Sequence, residues 1–392
     1  MKKSSKRFNM IFYISILLLS SAFLLIGNRV ASGGFDLSSE VEALSVFSAV
    51  VIEIADRDEI NIDLGWDEYI TNVRITFYAE ITSGDLSGEV IFAEYSHSTF
   101  LDIDQREVEA GDRVLLFHDE FSNLFFFMDY ERISYIIYLG IIFFILIVLF
   151  GRRKGFNSIV ALGFICLAIF MVFVPAILSG HNIYITAAVI CIYAIVSTLL
   201  IVIGPNKKAV SAMLGCFGGV LLAGLLMLFM DGIMHLTGFV DHETRSLLNL
   251  PTEYPIDLRA IIFAGVVIGS TGAIMDVAMS ISSSLWEVKQ AGGAQSFRGI
   301  FKSGTEIGKD ILGTMLNTLI LAYIGSSLSV ILLITAQSRT ALELFNMEMI
   351  IVEFLRALVG SFGMFLTIPL TAAVCGWLYY QGYNGTKYNT HG

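Results

Sequence analysis

The sequence predicts a polytopic α-helical membrane protein of about eight spans, with a small all-β domain, either an OB-like barrel or a sandwich, between the first two. Of the 392 residues, 55% are hydrophobic and only 15% are charged, whereas soluble domains carry roughly 25% charged residues. Most of the chain consists of apolar runs long enough to cross a bilayer. The acidic residues instead concentrate in residues 31–132, where the spacing of apolar side chains is typical of strands.

Residues 1–30 have the pattern of a segment that directs export. Basic residues at positions 2, 3, 6 and 7 precede the apolar run 10–26. This pattern is typical of either a retained anchor or a cleaved signal peptide. Because no good small-x-small cleavage site precedes Ala31, we favour the anchor, and in both cases the following domain is expected to be extracytoplasmic.

Residues 31–132 are predicted to form four or five short strands. The clearest is 69–81, in which apolar side chains recur at every second position before the turn signal Ser83-Gly84-Asp85. This domain contains 23 Asp and Glu, five Arg and no Lys. That acidity argues against nucleic acid as a partner. The other stretches with strand character are residues 46–54, 89–95 and 114–117.

Residues 133–392 are predicted to form a seven-helix transmembrane domain. Basic residues gather in the connections on the side of the N-terminus, and the acidic connection 231–257 lies on the other side. The positive-inside rule therefore places both termini in the cytoplasm and residues 31–132 outside the cell membrane. The last span exceeds the roughly 20 residues that a bilayer needs, so it is expected to tilt or to extend into water. The predicted spans are residues 133–150, 156–178, 183–203, 209–230, 260–286, 311–336 and 349–380.

The sequence carries no recognisable metal, cofactor or catalytic motif. The four cysteines lie in apolar runs without a CxxC pair, and the six histidines fall outside the predicted spans. Residues 302–310 have some likeness to a phosphate-binding loop. However, only three residues separate Gly304 from Gly308, and Asp310 stands where Ser or Thr must hold magnesium. We therefore expect no cofactor and no metal, and an enzyme is the weakest of the functional hypotheses.

The sixth predicted span carries small and polar residues on one helix face, because they recur at steps of three and four. Asp276 lies well inside this span, where a charged side chain among lipid costs roughly 2.5–3.5 kcal/mol or more. Asp276 is therefore expected to face protein or a wet cavity. It is either a group that binds a cation or relays a proton, or a protonated side chain bonded to a neighbouring helix. The face comprises Gly265, Gly269, Gly272, Asp276, Ser280, Ser283, Ser284 and Glu287.

The seventh predicted span repeats this arrangement. If the two spans form an antiparallel hairpin, Glu287 and Asp310 lie at one level and gate a polar groove that opens to the cytoplasm. The alternative is that these two carboxylates pair in solvent with Lys289, Lys302 or Lys309. The second face comprises Asp310, Gly313, Thr314, Asn317, Thr318 and Leu321.

The eighth predicted span carries a third set of candidate residues. Glu353 and Arg356 stand at i and i+3, so they can pair locally. Gly360 and Gly363 are expected to permit close helix packing, as are Gly265, Gly269, Gly272 and Gly313 of the two preceding spans. Pro369 is expected to act as a hinge that frees a backbone carbonyl.

Three segments resemble the YibE/F-like family of bacterial membrane proteins: residues 265–288, 301–328 and 356–372. The resemblance is most specific over 265–328 and extends through the whole chain, weakly in the β-rich domain. It implies a multi-pass membrane protein and the same three spans, but no established activity. Ser270 departs from the small apolar residue that the family often has there. The family's motif positions are matched by Gly272, Asp276, Ser280, Gly308, Asp310, Thr314, Asn317 and Thr318.

The sequence thus leads to two main hypotheses of function. The first is a transporter or transport-associated protein, cation- or proton-coupled, with a polar path formed by the last three spans for an unidentified ion or small molecule. The second is an envelope assembly or sensing protein whose β domain binds a partner and whose polar stripes are structural. The expected partners are the lipid bilayer and a second YibE/F-like subunit or a further copy of the chain. A catalytic pair is disfavoured because helix rise separates Asp276 from Asp310 by about 15 Å in the assumed hairpin.

Overall fold

The structure is a computed structural model that describes residues 2–33, 46–63, 69–98, 106–119, 122–240, 242–250, 252, 254–293, 296–336 and 340–384. The chain divides into two compact units. One consists of Met1–Asp36 with Val148–Gly392, and the other is Leu37–Ile147. Within the described ranges, seven helical segments are long and apolar enough to cross a membrane.

The unit Leu37–Ile147 contains a closed barrel of five strands, in the order β1-β2-β3-β5-β4 with β4 returning to β1. β3 and β5 pair in parallel and all other neighbours are antiparallel. The fold is therefore a barrel and not a sandwich, and a five-stranded barrel is the architecture of OB folds. The strands are β1 Val46–Asp63, β2 Tyr69–Ile81, β3 Val90–Ser98, β4 Arg113–Asp119 and β5 Leu124–Tyr130.

Alternation along β2 builds the barrel core. Val73, Ile75, Phe77, Ala79 and Ile81 are all at most 4% exposed, and the side chains between them point outward. β1 pairs with both β2 and β4, and irregularities in its register let this long strand curve around the barrel. β5 was not placed from the sequence, because its run of Leu and three Phe shows no alternation.

The other unit is helical. α5, α7 and α11 pack together at its centre. Four of its helices begin where a side-chain oxygen caps them: Asn182 for α4, Asn206 for α5, Asp257 for α7 and Ser296 for α8. The longer helices are α1 Lys2–Ala31, α2 Ile133–Ala168, which begins in the barrel unit, α4 Ile183–Val202, α5 Lys207–Met234, α7 Leu258–Gln290, α8 Phe297–Ser326 and α11 Glu348–Asn384. The shorter ones are α3 Val174–Leu178, α6 His242–Ser246, α9 Leu328–Ala336 and α10 Ala341–Phe345.

The second and third predicted spans are joined into one helical segment, Ile133–Leu178, of 46 residues. At about 1.5 Å per residue, this segment is about twice as long as the apolar core of a bilayer is thick. Its helix is interrupted at Arg152, which has φ 47° and ψ −127°. The interruption lies in the basic connection that the sequence placed between the two spans.

The helix α8 begins 14 residues before the predicted span 311–336, at Phe297, and ends at Ser326. The sequence prediction treated the charged stretch around Lys302 and Lys309 as a connection. Those side chains instead lie on the exposed side of α8, while Gly304 and Gly308 of the same turns are buried.

Close packing of α5 on α11 depends on glycine. A Cβ at Gly215 would overlap the Thr371 hydroxyl, and one at Gly219 would overlap that of Thr367. Gly363 of α11 likewise leaves room for Ile274, whose Cδ1 would lie 2.8 Å from a Cβ there. These glycines let the helix backbones approach closely, as is common between membrane-spanning helices.

Candidate functional site

The polar stripe of α7 lies on the outside of the helical unit. Asp276 and Glu287 are exposed, and so are Gly265, Gly269 and Gly272. The opposite side of α7, which includes the fully buried Ile274, Val277 and Ile281, packs into the core. Ser280 and Ser283 are half-buried at the margin between the two sides.

The polar stripe of α8 has the same outward orientation. Its inner side packs on α11, where a Cβ at Gly308 would overlap Ile368 and one at Gly304 would lie 2.8 Å from the Ala372 Cβ. We call the exposed residues of both stripes the α7–α8 polar face. It comprises Gly265, Gly269, Gly272, Asp276, Glu287, Asp310, Gly313, Thr314, Asn317 and Thr318.

Three contacts fix the levels at which α7 and α8 stand beside each other. A Cβ at Gly269 would lie 3.5 Å from Tyr323 Oη, and one at Gly304 would lie 2.9 Å from Leu285 Cδ1. Between these, Gly360 of α11 touches both helices, since its Cβ would lie 3.5 Å from the Ser270 Cβ and 3.2 Å from Leu319 Cδ2. The three contacts agree on this antiparallel alignment to within about three residues, or about 5 Å of rise.

This alignment corrects the predicted gate. It places Asp276 level with Thr314 and Ser280 level with Asp310, so Glu287 and Asp310 do not lie at one level. Asp276 and Asp310 differ by one helical turn, about 6 Å of rise, and not by the about 15 Å that the assumed hairpin implied. The reason is that α7 and α8 both extend to the short connection between them, which moves every α8 residue relative to α7.

The lysines near the predicted gate have other partners. Lys309 Nζ lies 2.9 Å from Glu306 Oε1, and Lys289 Nζ donates to the Tyr379 carbonyl oxygen. Among the described residues, no ion pair joins Glu287 or Asp310 to Lys289, Lys302 or Lys309, which was the alternative that the sequence left open.

Some side chains of the polar face have hydrogen-bond partners and others have none among the described residues. The hydroxyls of Thr314 and Thr318 donate to backbone oxygens of α8, at 3.0 and 3.1 Å. Over the ranges that the structure describes, the side chains of Asp276 and Asn317 have no hydrogen-bond or ion-pair partner. In a bilayer these two groups would meet lipid, which offers them no hydrogen bonds, unless something covers the face.

Two apolar cavities between helices lie away from Asp276. One, of about 340 Å³, is bounded by α8, α9, α10 and α11 and includes Tyr323 and Glu353 in its wall. The other, of about 440 Å³, is bounded by α4, α5 and α7 and includes Cys191 and Phe263. Neither is lined by Asp276, Ser280 or Asn317, so the polar face is separate from both.

The polar residues of α11 serve the packing of the unit. Glu353 Oε1 accepts from Arg356 Nη1 at 2.7 Å, which confirms the local pair. Thr367 Oγ1 donates to the Gly363 carbonyl at 2.7 Å. Gly360 and Gly363 are buried between helices, whereas Gly265, Gly272 and Gly313, also expected to pack, have no atom within 4 Å of a built Cβ. Pro369 lies inside α11, which continues to Asn384.

Sequence reasoning missed a buried polar cluster that ties α5, α7 and α11 together. Ser282 Oγ donates to the Lys208 carbonyl at 2.8 Å and lies 2.9 Å from Tyr379 Oη. Ser282 lies on the side of α7 opposite the polar stripe, so the periodicity that defines the stripe does not include it. The available signal was a hydroxyl on an otherwise apolar face.

The barrel unit has an open cavity of about 860 Å³ that sequence reasoning also missed. Two of its arginines are paired with acids: Arg106 lies 2.9 Å from Asp112, and Arg132 lies 2.7 Å from Asp129. Burial, aided by the Asp112 charge, raises the pKa of Tyr130 to about 12, and its hydroxyl donates to the Arg106 carbonyl at 2.7 Å. The described lining comprises Tyr95, Ser96, His97, Arg106, Asp112, Arg113, Phe127, Met128, Asp129, Tyr130, Glu131, Arg132 and Tyr135.

Across the described residues, no group of three His, Cys, Asp or Glu side chains is placed to hold a metal ion. Comparison with curated proteins and with solved structures gives no match. A family model, that of the YibE/F-like protein, matches residues 139–381. This match includes α4, α5, α7, α8 and nearly all of α11, but it leaves out the barrel, to which the sequence resemblance had been extended. Because it covers more than half of the chain, this protein belongs to the YibE/F-like family.

Proposed function

We propose that this chain is a transport protein of the bacterial cell membrane, in which the α7–α8 polar face lines the path of a cation or proton-coupled substrate. One observation carries the proposal. Asp276, Asp310, Thr314 and Asn317 lie within about two helical turns of one another along two adjacent helices. Ionisable and amide groups inside membrane-spanning segments commonly mark ion pathways and proton relays.

The proposal assigns a role to each group. Asp276, level with Thr314, is the titrating carboxylate. Asp310, about one turn away, exchanges protons or cations with it, and Asn317 together with Ser280 supplies neutral oxygen ligands. Glu287, about three turns from Asp276 along α7, attracts cations to the mouth of the path.

The topology we propose has eight spans, with Ile133–Leu178 crossing twice by means of the interruption at Arg152. Both termini are then cytoplasmic and the barrel is extracytoplasmic. The support is the distribution of basic residues, which cluster beside Arg152, Lys207 and Lys302 on one side.

The test measures proton flux through the full chain in liposomes that contain a pH-sensitive dye, under an imposed membrane potential. Wild-type protein should acidify the lumen faster than empty liposomes do, and Asp276→Asn should remove most of that difference. Glu306→Gln is the matched control, because Glu306 is exposed on α8 but pairs with Lys309. Equal flux for wild type and Asp276→Asn, at equal amounts of folded protein, would exclude the proposed role.

A second candidate function is envelope assembly or sensing, and two observations favour it. The polar face is on the outside of the helical unit, where it can dock another subunit, and the barrel has a cavity of about 860 Å³. For this function Asp276→Asn should change the oligomeric state and leave flux at the level of empty liposomes.

A further inference from the structure

Glycines of the helical unit differ in what surrounds them, and open space alone does not distinguish the polar face, because Gly163 and Gly232 elsewhere on the unit also have no neighbour within 4 Å of a built Cβ. Those inside, such as Gly219, Gly304 and Gly308, have neighbouring side chains that a Cβ would overlap or touch. Those on the polar face, Gly265, Gly272 and Gly313, have no neighbour within 4 Å of a built Cβ. Small residues on a membrane-spanning helix typically admit a second helix at close range, and among the described residues no helix lies against the outer group.

The polar face also lacks hydrogen-bond partners. Asn317 offers two amide donors and Asp276 offers carboxylate acceptors, and neither is bonded within the described ranges. Acyl chains cannot supply such partners, so covering the face with lipid leaves both groups unsatisfied. A protein surface with a donor opposite Asp276 and an acceptor opposite Asn317 satisfies both.

The polar face itself contains both a donor for Asp276 and an acceptor for Asn317, so it can complement a second copy of itself. By the alignment of α7 with α8, Asn317 is level with Ala273, within one turn of Asp276. In a dimer with a two-fold axis along the membrane normal, each residue meets residues at its own level in the second copy. The donor of one copy then reaches the acceptor of the other, and the same contact forms twice.

We propose that a second copy of this chain covers the α7–α8 polar face, with Asp276 of each copy paired with Asn317 of the other. The transport path then runs between two subunits and is incomplete in one. This placement of the path rests on the proposed function, whereas the contact between copies does not.

Crosslinking of the full chain in membranes tests the contact. Cys166 is the exposed cysteine of the chain, so Cys166→Ser provides the background. One tagged copy carries Gly272→Cys and a differently tagged copy carries Gly313→Cys, both sites where a side chain meets open space. A bifunctional thiol reagent should give a product of twice the 43.2 kDa chain mass that contains both tags. The yield should be several-fold higher than with Leu225→Cys, an exposed site on α5.

A second measurement tests the pairing itself. Asn317→Leu should lower the crosslinking yield several-fold, and Thr318→Val should not, because the Thr318 hydroxyl already donates to its own helix. Size-exclusion chromatography verifies that both variants are folded. Equal yields for Asn317→Leu and Thr318→Val would overturn the pairing.

Other occupants of the face give different results, and each overturns the proposal. A crosslinked product of another mass identifies a different protein. Quenching by brominated lipid that is as strong for a fluorophore at Gly272→Cys as at Leu225→Cys identifies lipid. A crosslinked dimer without flux refutes the proposed function alone, and flux without a crosslinked dimer refutes this inference alone.

Discussion

Ser282 of α7 and Tyr379 of α11 form a buried contact, with 2.9 Å between Oγ and Oη. Both residues are 0% exposed. Ser282 Oγ donates to the Lys208 carbonyl of α5 at 2.8 Å, and Tyr379 Oη donates to the Ser282 carbonyl at 3.1 Å. The pair therefore joins the three central helices, and Lys289 adds a hydrogen bond to the Tyr379 carbonyl.

This relationship predicts coupled losses of stability. Tyr379→Phe and Ser282→Ala should each lower the unfolding free energy, by about 0.5–1.5 kcal/mol for each hydrogen bond that the lost hydroxyl makes. The double variant should lose less than the sum of the two, because both changes remove the same contact. Thermal unfolding of the full chain in one detergent measures this. Strict additivity would show that the two side chains act independently.

Glu348, at the start of α11, anchors the connection after α5. Its carboxylate accepts from the backbone N–H groups of Thr237 and Gly238 at 2.8 and 2.6 Å, and from the Thr237 hydroxyl at 2.6 Å. Glu348→Ala removes both acceptor oxygens and with them all three hydrogen bonds, so hydrogen exchange at residues 237–240 should become faster. Glu348→Gln keeps one carbonyl oxygen and should have an intermediate effect. Unchanged exchange in Glu348→Ala would mean that the connection is held by other contacts.

The sequence predicted those elements whose physical signal is local. Alternation placed β2 at its observed bounds. Helical periodicity predicted that Asp276 and Asn317 each share a helix face with neighbouring glycines, and these residues are exposed together on the outside of the helical unit. What it did not reveal was the direction of those faces. Polar residues in a span are expected to point inward, and the outward placement depends on how α7 and α8 pack against α11.

The contacts missed from the sequence are long-range. Ser282 meets Tyr379 97 residues later, and Glu348 meets Thr237 111 residues earlier. A single sequence contains no local pattern that pairs such distant residues. The level of Asp310 was misjudged for the same reason, since it depends on how far α7 and α8 extend toward their connection.

Glycine substitution should distinguish inner from outer glycines. Gly219→Ala places a Cβ against the Thr367 hydroxyl, and such overpacking typically costs about 1–3 kcal/mol. Gly272→Ala meets open space in the single chain, so it should leave the unfolding free energy of the monomer unchanged or slightly higher. Thermal unfolding of both variants in detergent measures the difference.

A rescue variant tests whether the stability lost in Gly219→Ala comes from the overlap with the Thr367 hydroxyl. Adding Thr367→Gly to Gly219→Ala removes the overlapping hydroxyl, so part of the lost stability should return despite the added helix glycine. If Gly219→Ala alone is as stable as wild type, then α5 and α11 are not packed as closely as these contacts indicate.

The barrel should lose stability in acid because two of its carboxylates are held ionised. Hydrogen bonds from Arg57, and then its charge, keep the pKa of Glu107 below its usual value. A hydrogen bond from Arg132, and then one from the Tyr130 backbone N–H, does the same for the pKa of Asp129. A carboxylate whose pKa is lower in the folded than in the unfolded state stabilises the folded protein. This stabilisation is fully present at pH values above the unfolded-state pKa, and it is lost as the pH falls through the folded-state pKa.

Hydrogen exchange of the full chain at several pH values tests this expectation. After correction for intrinsic rates, protection of β1, β4 and β5 should be constant near neutral pH and should fall below about pH 4, the range of unperturbed carboxylates. Glu107→Gln should show weaker protection at neutral pH and a smaller acid dependence, because one titrating partner is gone. Glu89→Gln, at an exposed position just before β3, is the matched control and should behave as wild type. A wild-type acid dependence in Glu107→Gln would assign the effect to other groups.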